Sequence, residues 1–515
     1  METELKLSVR PDAVPRLQQH PLLTRYATSP PRLQVLSGIY FDTPNFDLRH
    51  ADAGLRVRKV DQDWIQTLKA GGTVVAGLHQ RNEWESKVAG PTPDLEVLRR
   101  QIDPKSQFAR LIKDLRKRGE LVPAFTTSVQ RTVWDLRLPT GDEVECAIDQ
   151  GSIDSRHGNT PVSELELELK SGDPARLFDL ALELQSDVPM QIGNLSKADR
   201  GYEMAGTNRW AAVKASALRL SPRMSIGKAF QAIVMNCVEQ IQANQPGVTL
   251  RQDIDSLHQM RVGLRRLRSA FTLFEPLIPC PESIQEELLW LGSVLGPARD
   301  WDVLHGSTLP GLHGMVGGGE ILQPVLDAAQ NEIRIQHERV ANGVGSPRYT
   351  RLLLTLCSWI QGAQWNKDRA PVKHDRLKRT VAGFADDVLR RQRQRLMKRG
   401  RHLHGADPAT RHRLRIAAKR ARYATEFFAS LFPEKAVRRY VRSLALLQDE
   451  LGLLNDAAVA KNLLRELEAS QPQIRVEAAC IWGYLTCRLD QDDPALVSHW
   501  KRFKSIPAPQ RSGSR

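Results

Sequence analysis

The run Glu164-Leu-Glu-Leu-Glu-Leu-Lys170 constrains the fold more than any other stretch of the chain, because charge and leucine alternate in it with a period of two. On a helix these residues would scatter both kinds of side chain around the axis. On a β-strand they separate into a charged face and an apolar face. The pattern recurs through the first 170 residues: Glu2, Glu4 and Lys6 against Thr3 and Leu5, then Arg56 and Arg58, Lys69, the Arg81/Glu83/Glu85 run, Arg131, Arg137, and Glu143/Glu145/Asp149. One such strand is an ordinary sheet with a solvated face. Many of them, with both signs of charge on one parity, fit a closed barrel whose charged parity lines a channel. Such a lining has to be neutralised by metal ions, bound anions or opposing charges, since an enclosed unpaired charge is costly. Carboxylates bind hard divalent cations through oxygen, while Arg and Lys clamp phosphate oxygens. Together they describe a site for a metal-bound polyphosphate.

The motifs Glu2-x-Glu4-x-Lys6, Tyr40-Phe41-Asp42-Thr43, Leu55-Arg56-x-Arg58, Thr67-Leu68-Lys69, Arg81-x-Glu83-x-Glu85, Glu164-x-Glu166-x-Glu168 and Ser196-Lys197-x-x-Arg200-Gly201-Tyr202 resemble those of the CYTH domain of the triphosphate tunnel metalloenzymes. The resemblance implies an eight-stranded antiparallel β-barrel whose tunnel holds a triphosphate with Mg²⁺ or Mn²⁺. By motif, Glu2, Glu4, Glu85, Asp149, Glu166 and Glu168 would be metal ligands. Lys6, Arg56, Arg58, Lys69, Arg81, Arg131, Lys197 and Arg200 would hold the phosphates, and Glu4 and Lys6 would stand closest to the chemistry. Glu83 and Glu145 would add acidic lining. Residues Pro93 to Gly119 read as a helical insertion, and 174–188 as one amphipathic helix.

Beyond Tyr202 the β pattern stops. Gly206 to Pro222 is small and polar and reads as a linker, and from about residue 223 to 504 apolar residues recur at helical spacing. This half repeats itself. His258-Gln-Met-Arg261-Val-Gly-Leu-Arg265-Arg266-Leu-Arg268 corresponds to His412-Arg-Leu-Arg415-Ile-Ala-Ala-Lys419-Arg420-Ala-Arg422, 154 residues later. Leu291-Gly-Ser-Val-Leu-Gly296-Pro-Ala-Arg299-Asp300 corresponds to Leu447-Gln-Asp-Glu-Leu-Gly452-Leu-Leu-Asn455-Asp456. On a helix, positions i, i+3, i+7 and i+10 share one face. His258, Arg261, Arg265 and Arg268 therefore form one basic stripe, and His412, Arg415, Lys419 and Arg422 a second. A single stripe is an ordinary solvated face; its duplication favours a groove for a polyanion. These segments resemble the CHAD domain, the conserved-histidine α-helical domain. That resemblance implies two pseudo-symmetric four-helix bundles, here spanning about 223–365 and 374–504, that bind inorganic polyphosphate. Asp300 and Asp456 would orient the basic side chains. Gly314–Gly319 reads as a flexible loop and Ser505–Arg515 as a disordered tail.

The expected whole is an α+β multidomain protein: residues 1–205 a barrel, 206–222 a linker, 223–504 an all-α domain. Charge follows the same division. Residues 1–205 carry 27 Lys+Arg against 30 Asp+Glu, while residues 206–515 carry 47 against 29, so the formal +15 of the chain resides in the helical half. Six cysteines without metal-type spacing, no membrane-length apolar run and no basic-then-apolar leader predict a cytoplasmic protein, with attachment to polyphosphate granules as a further expectation. With 6% aromatic residues and no aromatic-interleaved basic motif, base stacking with nucleic acid has little support. The function expected is a metal-dependent inorganic triphosphatase, acting on tripolyphosphate, with an appended module for long-chain polyphosphate. The alternatives are a nucleoside or thiamine triphosphatase or adenylate cyclase on the same site, and a non-catalytic polyphosphate-binding protein. Nothing in the sequence sets the oligomeric state.

Overall fold

The computed structural model describes all residues except 1, 61, 119, 207–210, 313–318, 367–370, 402, 404, 491–493 and 512–515. The chain divides into two compact units, residues 1–210 with 345–363 and residues 211–344 with 364–515.

In the first unit the alternating segments form β1 (Glu2–Val9), β2 (Arg32–Asp42), β3 (Ala53–Val60), β4 (Asp63–Val75), β5 (Leu78–Val88), β6 (Val122–Arg137), β7 (Glu143–Ser155) and β8 (Gly158–Ser171). They run in the order β5-β4-β3-β2-β6-β7-β8-β1, and pairing of β1 with β5 closes an eight-stranded antiparallel barrel. A short β9 (Met190–Ile192) pairs with Leu7–Val9 of β1, continuing the edge where β5 ends at Leu5.

The barrel is inverted relative to an ordinary core. Its charged parity points inward, and Leu5, Leu7, Leu55, Leu68, Cys146, Ile148, Leu165 and Leu167 on the other parity are buried outside it. Helices supply the cover. After α1 (Val14–Gln18), α2 (Pro21–Tyr26) and α3 (Asp47–His50), the insertion folds as α4 (Leu95–Gln101) and α5 (Gln107–Arg118). Leu98, Ile102, Phe108, Ile112 and Leu115 from that insertion pack on Leu55, Leu68 and Ala70. Each such leucine contributes roughly 1.5–3 kcal/mol by leaving water. The amphipathic segment becomes α6 (Ala175–Asp187), and α7 (Lys197–Met204) follows β9. A capping box between Ser196 and Asp199 fixes the start of α7. A Cβ at Gly201 would strike the Phe125 ring at 2.2 Å, so only glycine lets α7 lie this close to β6.

The second unit is helical: α8 (Ile226–Ala243), α9 (Gln245–Arg251), α10 (Ile254–Phe274), α11 (Glu282–Val303) and α12 (Gly319–Val344) form its first half. Next in the chain, α13 (Pro347–Gln361) groups with the barrel unit, although the sequence partition assigns it to the first helical half. The second half is α14 (Pro371–Lys378), α15 (Val381–Arg399), α16 (Pro408–Phe427), α17 (Glu434–Ser470), α18 (Arg475–Asp490) and α19 (Pro494–Lys504). The duplication is visible in the backbone where α8 and α15 begin. Ile226 N donates to Arg379 O at 2.9 Å and Val381 N to Met224 O at 2.8 Å, a reciprocal pair about a local dyad.

Two expectations change here. The segment expected as a linker, 206–222, is from residue 211 on part of the second unit: Val213 N donates to Asn244 Oδ1 at 2.9 Å, and Asn236 Nδ2 to Ser216 O at 3.1 Å. The segment from Ser505 to Arg511 is packed, because Ile506 joins the core of Trp500 and Phe503 and Arg511 pairs with Asp386 at 2.6 Å. Residues 512–515 and most of the Gly314–Gly319 run lie outside the described residues. No described helix is long and apolar enough to cross a membrane.

Candidate functional site

The inward parity of the barrel lines a cavity of about 490 Å³. Eight carboxylates (Glu2, Glu4, Glu83, Glu85, Glu145, Asp149, Glu166, Glu168) and eight cations (Lys6, Arg56, Arg58, Lys69, Arg81, Arg131, Lys170, Lys197) face it. Strand register sets which of them meet. Glu4 lies opposite Glu168 on one side and His79 on the other, Lys6 opposite Glu166, Glu2 opposite Arg81, and Lys69 opposite Glu83. Gly38 makes room for this crowd, since a Cβ there would come within 3.1 Å of Arg56 Cδ.

One side of the cavity is internally paired. Glu166 accepts from Lys6, Arg131 and Lys197, the last at 3.0 Å. Asp149 takes a two-pronged pair from Arg131, 2.7 Å on each oxygen, and Lys197 at 2.6 Å. Asp149, Glu164 and Glu166 present oxygens within 4.8 Å of one another, the spacing of a cation site, and Lys197 bonds all three. Burial alone would push the Glu166 carboxyl up, but Lys197, Lys6 and Arg131 hold it well below the usual range. Glu4 behaves likewise: burial is outweighed by Lys6 and Lys69, which bring it down to about 2.

The other side is paired less completely, although against burial Tyr40, Glu83 and Glu166 hold the Arg56 guanidinium above its usual range. The Nε atoms of Arg56 and Arg58 are buried without a hydrogen-bond partner among the described residues. Burial, with Arg56 and Arg131 nearby, lowers Arg58 to about 10. Glu2 is short of cations: burial raises its carboxyl to about 7, Lys69 at 2.5 Å opposing and Glu4 and Glu83 reinforcing the shift. Guanidinium Nε atoms without hydrogen-bond partners, beside crowded carboxylates, are the donor set that a polyanion and a hard divalent cation would jointly satisfy.

All the tunnel residues expected from sequence line the cavity except Arg200, which is tied to Glu164 at 2.5 Å. Sequence reasoning missed His79 and Thr127, and gave no channel role to Tyr40 and Thr67 although both stand in its motifs. His79 shares the parity of Arg81 and Glu83, but a pattern built on formal charge passes over it. Burial and Lys6 lower it to about 4, so it stands neutral. The Tyr-Phe-Asp-Thr motif is structural at Asp42, which accepts from the backbone N–H of Thr43, Leu48 and Arg49 at 2.7–3.0 Å.

In the helical unit, α10 and α16 pack together and bring the two basic stripes into one field. Arg261 donates to Gly296 O at 2.7 Å and Asp300 at 3.0 Å; Arg415 stands 3.7 Å from Asp456, and His412 contacts Asn455 at 3.1 Å. Burial, then Arg299 and Arg265, lowers His258 to about 4. Burial, then Arg415 and Arg265, lowers Lys419 from 10.5 to about 7. The stripes are not uniform along their length. Arg422 is bound to Glu426 on its own helix at 2.7 Å, and Arg268 lies by Arg420 in a second cluster with Arg395 and Arg399 that the stripe reading did not include. The adjacent Arg266 turns inward onto Gln240 and Asn236 at 2.7 and 2.8 Å.

A barrel with a channel of mixed charge joined to a duplicated basic helical unit defines a recognisable class. Residues 1–202 match the CYTH domain family and residues 232–465 the CHAD domain family, so the chain is a CYTH–CHAD protein. An inorganic triphosphatase of Haemophilus influenzae is 33% identical over 201 residues, covering 39% of this chain and 54% of that protein; the chain therefore spans about half the length of that relative. An uncharacterized protein of Mycobacterium tuberculosis is 27% identical over 410 residues, 74% of each chain. A crystal structure of the CHAD domain from the plant Ricinus communis covers 58% of this chain and 99% of its own, with 38% identity and a TM-score of 0.53.

Proposed function

We propose that the barrel hydrolyses tripolyphosphate to pyrophosphate and phosphate with Mg²⁺ or Mn²⁺, and that the helical unit binds long-chain inorganic polyphosphate. The observation that carries the first part is the pair of channel arginines, Arg56 and Arg58, whose buried Nε atoms lack hydrogen-bond partners among the described residues, inside a channel otherwise rich in ion pairs. The likeness of the CYTH domain to an inorganic triphosphatase supports the same reading.

In this reading Arg56, Arg58, Arg131, Lys6, Lys69, Arg81 and Lys197 hold the phosphate chain. Glu2, Glu4, Glu85, Asp149, Glu166 and Glu168 supply oxygens for the divalent cation. That cation, when bound, neutralises phosphoryl charge and orients water. Water attacks the terminal phosphorus, the bridging P–O bond breaks, and pyrophosphate leaves with the bonding pair. Lys6, set between Glu4 at 3.0 Å and Glu166, steadies the charge that develops on the transferred group. The four buried thiols, Cys146, Cys237, Cys280 and Cys357, suit a reducing cytoplasm. Phosphate release from tripolyphosphate, ATP and thiamine triphosphate, each with Mg²⁺, Mn²⁺ or chelator, tests the enzymatic half. Highest kcat/KM on tripolyphosphate is expected.

The polyphosphate half has its own signature. A bound polyanion would restore the proton that burial and Arg415 withhold from Lys419, so affinity should rise as pH falls from about 10 toward about 7 and level off below it. Titration of the full chain with long-chain polyphosphate across this range, beside Lys419→Met, checks it. The variant should bind with a flatter pH profile; an identical profile would remove Lys419 from the site.

A further inference from the structure

The face of the barrel unit made by α6 and β9 is covered by α13, a helix that arrives about 150 residues later in the chain. Ten of its fifteen residues are buried, from Tyr349 through Ile360. Polar bonds from α6 and β9 seat it and the residues just before it. Gln185 Nε2 donates to Pro347 O at 2.8 Å, Gln191 Nε2 to Gly345 O at 2.6 Å, and Ser358 Oγ to Asp179 Oδ1. Gln191 belongs to β9, which is three residues long and pairs with β1. A strand this short, paired along one edge, contributes little order by itself.

Just past β9 the chain grips Lys6. Gly193 N donates to Lys6 O at 2.9 Å, and Gly193 O accepts from His79 Nε2 at 2.9 Å, which fixes the proton of that neutral imidazole on Nε2. A Cβ at Gly193 would lie 3.2 Å from Lys6 Cβ, so the approach is tight. On the same edge of β1, Lys6 N donates to Gly77 O at 2.9 Å. The backbone of Lys6 is thus held by two glycines at the point where β5 stops and β9 starts.

We infer that Gly345–Ala363 is a positioning element of the barrel: by seating α6 and β9 it holds β1 in register and keeps Lys6 aimed into the channel. The segment lies inside the stretch that matches the CHAD family, yet it completes the CYTH unit. The effect on hydrolysis rests on the activity proposed above; the effect on backbone order does not.

Ser358→Asp in the full chain sets a second carboxylate against Asp179, which already pairs with Arg176 at 2.6 Å. Amide exchange of β9 and of Leu7–Val9 should rise about tenfold while that of α10 is unchanged. The kcat/KM for tripolyphosphate should fall about tenfold through displacement of Lys6. The swap Asp179→Ser/Ser358→Asp recreates a hydroxyl–carboxylate pair and should return both readings toward wild type. Gln191→Ala, a milder change, should raise exchange in both β9 and Leu7–Val9 by a smaller factor should the aspartate variant not fold. Faster exchange in α13 with β9 and β1 unaltered would overturn the inference, as would failure of the swap to restore them. A wild-type protein without hydrolysis would refute the activity and leave the exchange test intact.

Discussion

Arg58→Met should lower tripolyphosphate hydrolysis by about 10²–10³-fold, the usual cost of one charged donor aimed at a transition state, without lowering the thermal midpoint of the protein. The reason lies in its surroundings. Burial and the neighbouring Arg56 and Arg131 depress its pKa, and its Nε has no partner among the described residues, so the resting fold gains little from its charge. Methionine keeps most of the stem that packs in the channel wall and removes a like-charge repulsion. Stability should be unchanged or slightly higher. A residue that served the fold would show the opposite, a lower midpoint with activity lost in proportion to unfolded protein.

Glu166→Gln should do something different. This buried carboxylate is the shared acceptor of Lys6, Arg131 and Lys197. Replacing it by an amide leaves three buried cations with one counter-charge fewer, a change that costs about 3–5 kcal/mol when a buried pair is broken. For a unit of this size that lowers the midpoint by roughly 6–20 °C. Hydrolysis should fall at least about 10³-fold, since both the cation site and the aim of Lys6 are lost together. Thermal unfolding and kcat/KM on the two variants separate cations kept for a ligand from cations kept for the fold.

The barrel was legible because a strand has only two faces. Once Glu164, Glu166 and Glu168 share a parity, the register carries Glu2, Glu4 and Lys6 to the same enclosed side; of the residues that alternation selects, Arg137 and Glu143 at the strand ends pair with each other in solvent instead, and Glu164 does not line the cavity. The helical stripe was legible for an analogous reason: a period of 3.6 separates Arg265 from Arg266, which the structure turns inward. Local periodicity cannot report what a side chain meets across the fold. Arg200 belongs to a motif the resemblance assigns to the channel, yet it pairs with Glu164 and does not line the cavity; Arg422 keeps the stripe spacing but finds Glu426 one turn away. His79 carries no formal charge and so left no mark on a charge pattern. The place of α13 was hidden most completely, because its buried apolar residues read like those of any bundle helix, and only the tertiary arrangement sets it against α6.

The central claim is that the channel is a metal-dependent site for an inorganic triphosphate. Its most direct measurement is phosphate release from tripolyphosphate by the intact chain with Mg²⁺, with Mn²⁺ and with chelator, beside Arg58→Met. The account predicts hydrolysis that requires the divalent cation and falls by about 10²–10³-fold in the variant at unchanged stability. Absence of hydrolysis with either metal, or equal rates in wild type and Arg58→Met, would contradict it.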